Sequence, residues 1–189
     1  MARLISELLV SLDMLAAGEQ SPGYFGYLGP EFGGTLEKTK AEPHRTLMGR
    51  KTYEVLNKVP KAARDEGWRK TTEEPGYLFS RQIERVEWPG LRLVRTDMVE
   101  FVRELKADAG PELRVLGSLS IARQLAGAKL LDLLRLYVCP LVLPETGKEH
   151  VFADWGDTAF SLCACERLDQ RVMRLDYRPD GSPPKTDGR

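Results

Sequence analysis

Arg45-Thr-Leu-Met-Gly-Arg-Lys-Thr-Tyr-Glu-Val-Leu56 reads as a strand, a turn and the start of a helix. Thr46, Leu47 and Met48 form a short apolar run suited to a buried strand, and Gly49 permits a tight turn. Lys51 to Leu56 can then begin a helix, with Glu54 in its first turns. A helix N-terminus offers backbone N–H groups and partial positive charge, so it attracts phosphate. Arg50 and Lys51 add two cations at that spot. The same residues equally suit an ordinary strand-to-helix turn with solvated cations.

Working outward, comparable punctuation recurs. Residues 3–12 read as a buried strand. Residues 18–34 hold six of the seventeen glycines together with Tyr24, Phe25, Tyr27 and Phe32, the composition of a mobile loop. A polar helix is expected from about Glu31 to Glu42, ended by Pro43. Residues 58–75 are polar and predict no element. Gly76–Ser80 is a second strand, followed at once by Arg81, and Leu91–Arg95 a third. Asp97 reads as an N-cap before the helical stripe Met98, Phe101, Val102 and Leu105. Leu113–Leu116 is a strand closed by Gly117-Ser118, with a helix over Leu119–Ala126. Leu133–Leu143 is expected to be one long strand bent at Pro140. Ala159–Leu168 and Gln170–Arg178 predict a terminal hairpin, and residues 179–189 a disordered tail. The pattern predicts an α/β fold with a mostly parallel central sheet, helices on both faces and an antiparallel C-terminal hairpin. One domain over residues 1–178 is expected.

The composition narrows the classes. Lys+Arg and Asp+Glu are equal at 28 each, so no global field favours nucleic acid or an anionic membrane. No apolar run approaches a bilayer span, and Glu7 breaks the apolar character expected of a signal peptide. The three cysteines show no metal spacing and read as reduced, small apolar residues of a cytoplasmic protein. His44 and His150 read as solvated loop residues.

Three strand ends thus carry turns that suit phosphate: Met48-Gly49-Arg50, Phe79-Ser80-Arg81 and Leu116-Gly117-Ser118. In an open α/β sheet, ligands bind beyond the carboxyl ends of parallel strands. Several such turns on one edge suggest a dinucleotide. Neither G-x-G-x-x-G after the first strand nor G-x-x-x-x-G-K-[ST] occurs, which argues against a Rossmann dehydrogenase or a P-loop enzyme. G-x-S-x-G is absent too.

Ser11-Leu-Asp13, Met48-Gly-Arg-Lys-Thr-Tyr-Glu54, Phe79-Ser-Arg81, Leu116-Gly-Ser-Leu-Ser-Ile121, Leu131–Leu136, Pro140–Leu143 and Leu175–Pro179 occur in one order. Over residues 3–179 that order resembles the bacterial dihydrofolate reductase-like proteins of the RibD C-terminal (riboflavin biosynthesis reductase) family. The resemblance implies a dihydrofolate reductase-type fold that binds NADPH and transfers a hydride to a small heterocyclic or carbonyl substrate. It implies phosphate contacts from Gly49, Arg50, Lys51 and Thr52, and adenosine 2′-phosphate contacts from Ser80 and Arg81. It places Leu116, Gly117 and Ser118 near the pyrophosphate, and Ala17 and Gly18 over the nicotinamide.

The chain departs from that family where many relatives carry Ser-Leu-Asp-Gly, since Met14 follows Asp13 here. On the substrate side the expected acids are Asp13, at its strand end, and Glu31, on the helix after the first loop; a turn-capping aspartate and a solvated glutamate are the alternatives. An NADP(H)-binding module without catalysis is the rival function. The resemblance also implies a homodimer, with the Leu133–Leu143 strand and the closing hairpin available for the interface.

Overall fold

A computed structural model describes residues 1–19, 26–181 and 183. Tyr24, Phe25 and most of the expected tail lie outside the described residues. In chain order the elements are β1 (Leu4–Val10), β2 (Leu15–Gly18), α1 (Pro30–Ala41), β3 (His44–Gly49) and α2 (Arg50–Asn57). After a single 3₁₀ turn come α3 (Glu66–Glu73), β4 (Gly76–Phe79), β5 (Leu91–Val94), α4 (Met98–Ala107), β6 (Glu112–Leu116) and α5 (Leu119–Gly127). The chain closes with β7 (Leu133–Val138), β8 (Gly147–His150), β9 (Phe160–Leu168) and β10 (Val172–Pro179). Residues Met1–Ile5 and Pro43–Leu130 make one compact unit, and Ser6–Glu42 with the described part of Leu131–Arg189 makes another. β1 begins in the first unit and continues into the second.

In the first unit the strands run β5-β4-β3-β6, and the β5–β4, β4–β3 and β3–β6 pairs are all parallel. Buried on both faces, β3 and β4 need continuous apolar side chains, which is why Thr46-Leu-Met and Tyr77-Leu-Phe read so plainly as strands. One core cluster joins Met48, Tyr53, Leu78, Trp88 and Leu91. The Asp97 carboxylate accepts from the Glu100 N–H and starts α4 as expected.

Two readings change in this unit. The polar stretch 58–75 contains α3, capped by Asp65, whose Oδ1 accepts from the Trp68 N–H at 2.9 Å. Arg69 braces that helix by pairing with both Glu66 and Glu73, while Trp68 meets the Trp88 ring edge-on at 5.4 Å. His44 is not a solvated loop residue. It opens β3 with a largely buried side chain, Nε2 lying 3.5 Å from the Glu74 carboxylate.

In the second unit β10 pairs antiparallel with both β7 and β9, in the order β1-β7-β10-β9. The terminal hairpin is as expected. Its turn, Leu168–Arg171, carries Asp169 and Gln170 at positive φ, the geometry that matches strand twist. β7 ends at Val138, short of Pro140, so the single long strand to Leu143 does not form. His150 belongs to β8, which pairs with β2 in a separate two-stranded sheet. Cys139 is buried, but Cys163 and Cys165 are exposed on β9 rather than packed, and all three are free thiols. The core cluster here comprises Phe32, Tyr137, Cys139, Leu168 and Val172, with Phe32 edge-on to Tyr137 at 4.7 Å.

The Ser11–Leu15 turn explains the importance of position 14. Ser11 N–H donates to Leu15 O, and Met14 N–H to Ser11 O, which puts Met14 at φ 58. A Cβ in this left-handed region costs about 1–2 kcal/mol, partly offset by glycine's greater unfolded-state freedom. Met14→Gly is therefore expected to stabilise the protein by about 0.5–1 kcal/mol in urea denaturation. A lower midpoint would show that packing of the Met14 side chain outweighs the backbone strain.

Candidate functional site

Parallel pairing aligns the ends of β3, β4 and β6, so the turns at Gly49, Ser80 and Gly117 share one edge of the first unit's sheet. Two of them interlock. Gly49 N–H donates to Ser118 Oγ at 2.7 Å, and Ser118 Oγ lies 2.9 Å from Thr52 Oγ1. Any Cβ on Gly49 would stand 3.2 Å from Ser118 Oγ, so glycine there serves close approach rather than an unusual dihedral. Gly117 has φ +59, and its missing Cβ would face the Thr52 side chain at 3.6 Å. Glycine avoids the left-handed penalty at that turn.

The helices that follow these turns differ from the rest. α3 and α4 are capped by Asp65 and Asp97, whereas α2 and α5 start without a side-chain cap hydrogen bond. Ser118, the residue in position to cap α5, turns its hydroxyl toward Gly49 and Thr52 instead. Two helix starts without a cap from their own N-cap side chain therefore open on one edge, with Ser118 Oγ taking only the Gly49 N–H, an arrangement that suits an anion with more than one phosphate.

The cations are deployed less simply. Arg50 forks onto its own helix, Nη1 lying 2.9 and 3.0 Å from the two Glu54 oxygens. Lys51 is exposed in the same first turn. Ser80 Oγ accepts from the Gln82 and Ile83 N–H groups, which leaves its own proton to donate outward. Arg81 is exposed, and its carbonyl accepts from Arg95. Arg95 also bonds the Ile83 and Glu84 carbonyls, so it is the side chain that holds the loop carrying Ser80 and Arg81. Nothing local marks Arg95 for this role except its place just beyond β5, the parallel neighbour of β4.

The second unit holds the other predicted residues. Ala17 and Gly18 are not loop residues; they lie in β2, opposite Lys148 and Gly147 of β8. A Cβ on Gly18 would come within 2.9 Å of a Leu143 methyl, which makes this another close approach. Asp13 Oδ2 accepts from the Leu143 N–H at 2.9 Å. The Ser11 hydroxyl and the Leu143 N–H hold the Asp13 carboxyl below the usual carboxylate range. At neutral pH it is ionised and suited to accept or orient rather than to donate a proton.

Glu31 is drawn into a reciprocal cap. Asp169, from the β9–β10 turn, accepts from the Glu31 and Phe32 N–H groups at 2.9 Å each, and Glu31 Oε2 accepts from the Asp169 N–H. A cap of this kind satisfies two N–H groups of α1's first turn and the Asp169 N–H in return, although Glu31 and Asp169 are 138 positions apart.

A third cluster in this unit was not anticipated. Arg135 Nε and Nη2 donate to the two Asp176 oxygens at 2.8 Å each, and Nη1 donates to Glu7 at 2.7 Å. Arg174 Nη2 also donates to Asp176, at 2.9 Å. Burial by itself would raise the Asp176 carboxyl, but the two guanidinium groups outweigh it and hold that carboxyl at about 2. The only sequence signal for this cluster is ionisable residues set in apolar strands: Arg135 amid Leu-Leu-Arg-Leu and Asp176 in Leu-Asp-Tyr.

Residues 55–173 match the model of the RibD C-terminal domain family. The chain belongs to the RibD C-terminal domain family.

Over 148 residues it is 25% identical to the uncharacterised protein YyaP of Bacillus subtilis, a match spanning 76% of this chain and 77% of that one. Its fold is similar to that of a candidate riboflavin biosynthesis protein of Shewanella sp. PV-4, with a TM-score of 0.74 and 18% identity. That superposition covers 95% of this chain and 99% of the other. Dihydrofolate reductase from Enterococcus faecalis, in complex with NADP(H), superposes with a TM-score of 0.58 at 12% identity, over 94% and 96% of the two chains. The fold is thus the dihydrofolate reductase-like α/β fold, with a parallel sheet and antiparallel C-terminal strands. The RibD C-terminal family is a reductase family that binds NADPH. Among the described residues no helix is long and apolar enough to cross a membrane.

Proposed function

We propose that this protein is an NADPH-dependent reductase that acts on a small heterocyclic or carbonyl compound. The observation that carries the reading is the pair of helix starts, α2 and α5, without side-chain caps on one sheet edge, with Gly49, Thr52 and Ser118 locked together between them. In the proposal those N–H groups and Thr52 hold the phosphates, and Ser80 and Arg81 take the adenosine 2′-phosphate. Arg50 then serves two roles, releasing Glu54 to meet a phosphate or bracing the first turn of α2. The bound dinucleotide would supply the hydride. Asp13, ionised and held by the Ser11 hydroxyl and the Leu143 N–H, would orient the acceptor. We place the protein in the cytoplasm as a homodimer; gel filtration with light scattering checks the assembly, and a monomer at micromolar concentration rejects it.

Fluorescence titration with both cofactors tests the reading. Arg81→Ala is expected to weaken NADPH binding about tenfold and NADH binding little, since only NADPH carries the 2′-phosphate that a guanidinium recognises. Equal, weak binding of both cofactors by the wild type would reject the NADPH assignment. The rival reading, a module that binds NADP(H) without catalysis, finds support in Glu31, whose carboxylate is bonded to Asp169. Turnover over a panel of pterins, aminopyrimidines and small carbonyl compounds eliminates that rival; tight NADPH binding without turnover favours it.

A further inference from the structure

Among the described residues α3 buries none of its own side chains fully. Gly67, Thr71 and Thr72 are poor helix formers, and the pairs that Arg69 makes with Glu66 and Glu73 are exposed. A short helix of this kind stays in place through contacts at its margins and opens easily when one is lost. One such contact is the Trp68 ring against buried Trp88. Another lies where the helix ends. The Glu74 N–H closes the last turn on Lys70 O, and the Glu74 carboxylate stands 3.5 Å from His44 Nε2 on β3.

The His44 side chain is only 7% exposed, and that of Glu74 17%. Parallel register sets Glu112 of β6 beside His44 and Arg114 beside Thr46, so these side chains share one face of the sheet. Arg114 and, at 3.9 Å, Arg3 pair with Glu112 and compensate its charge. The charged groups around the ring are therefore Glu74 ahead of β4, Glu112 and Arg114 on β6, and Arg3 behind Glu112. A neutral imidazole at this separation offers Glu74 a weak hydrogen bond at best, whereas an imidazolium sets a full charge against the carboxylate in a partly buried place.

The docking of α3 also reaches α2. Arg64 lies over the Trp68 ring at 5.0 Å and donates to the Asn57 and Val59 carbonyls. Trp88 Nε1 donates to Asn57 Oδ1, and the Trp88 ring lies 5.5 Å from Tyr53. The C-terminal end of α2 is thus braced by the residues against which α3 packs.

We propose that His44 and Glu74 form a proton-operated latch for α3. With the imidazole protonated, the ion pair holds the end of α3 against β3; with it neutral, α3 opens more often while the sheet stays folded. Histidine is the side chain whose charge changes between pH 5 and 8, so the latch closes on acidification and loosens on the alkaline side. The device needs neither cofactor nor substrate and stands apart from the reductase reading.

Hydrogen exchange read by mass spectrometry tests it on the full chain without ligand, at pH 5.5 and pH 7.5, as protection factors corrected for the intrinsic pH dependence of exchange. Residues 66–74 of wild type are expected to lose about tenfold in protection between the two, while β3 and β4 keep theirs. His44→Gln should show the low protection at both pH values. Glu74→Gln, which keeps an acceptor but not the charge, should flatten the response in the same way without unfolding the sheet. The chain has two histidines, and His150→Gln should respond as wild type does. Equal protection of residues 66–74 at the two pH values in wild type overturns the proposal. So does a response that survives in His44→Gln or disappears in His150→Gln.

Discussion

Asp176→Ala is expected to destabilise the protein by about 3–5 kcal/mol, the range for removing one partner of a buried ion pair. The carboxylate receives two hydrogen bonds from Arg135 and further bonds from Arg174, and it is 5% exposed. Without it, two guanidinium groups are left on one face of β7 and β10, and among the described residues Glu7 and Glu166 remain as their partners. Urea denaturation at pH 7 measures the loss; a cost under 1 kcal/mol would show that the cluster is not a clamp between the strands. The same carboxylate predicts an acid dependence. Its folded pKa of about 2 lies below the ordinary aspartate value of about 3.9, so its contribution is fully present above pH ~4 and disappears as pH falls toward 2. That contribution amounts to roughly 2–3 kcal/mol. The Asp176→Ala variant should accordingly lose less stability than wild type between pH 4 and pH 2.

Gly117→Val is expected to weaken NADPH binding by tenfold or more. Position 117 sits at φ +59 between β6 and α5, where a β-branched residue costs at least about 1–2 kcal/mol. The turn can relieve that strain only by rotating out of the left-handed region. Rotation would move Ser118, and with it the acceptor of the Gly49 N–H and the partner of Thr52. Both uncapped helix starts would be disturbed at once. Fluorescence titration measures the cofactor affinity, and a thermal melt separates local from global damage. Unaltered NADPH affinity in a folded variant would remove the Gly117 turn from the cofactor site.

The parts of the fold that were legible have local causes. β3, β4 and β6 are apolar runs closed by glycine or serine, and α4 carries its own cap at Asp97. α3 was hidden because Gly67, Thr71 and Thr72 are poor helix formers and Trp68 is its only apolar residue. Its support comes from Trp88, twenty residues further along the chain. β8 was hidden for a similar reason: Gly-Lys-Glu-His has no strand pattern and gains its conformation by pairing with β2. His44 was misread because its partner, Glu74, lies thirty residues further along the chain, just past the end of α3.

The carboxylates divide along the same line. By itself the sequence determined the turns at Gly49, Ser80 and Gly117, because a glycine or serine ending an apolar strand fixes chain direction within a few residues. It also determined that these strands alternate with helices, from which the parallel edge follows. Only the tertiary structure decided which acids are engaged. Asp13 is tied to Leu143, Glu31 to Asp169, and Glu7 to Arg135. Each partner stands more than 120 residues away in the chain and is brought in by sheet register and hairpin closure. Local pattern carries no trace of pairings made at that separation, so the sequence could name Asp13 and Glu31 but could not tell which partner each would take.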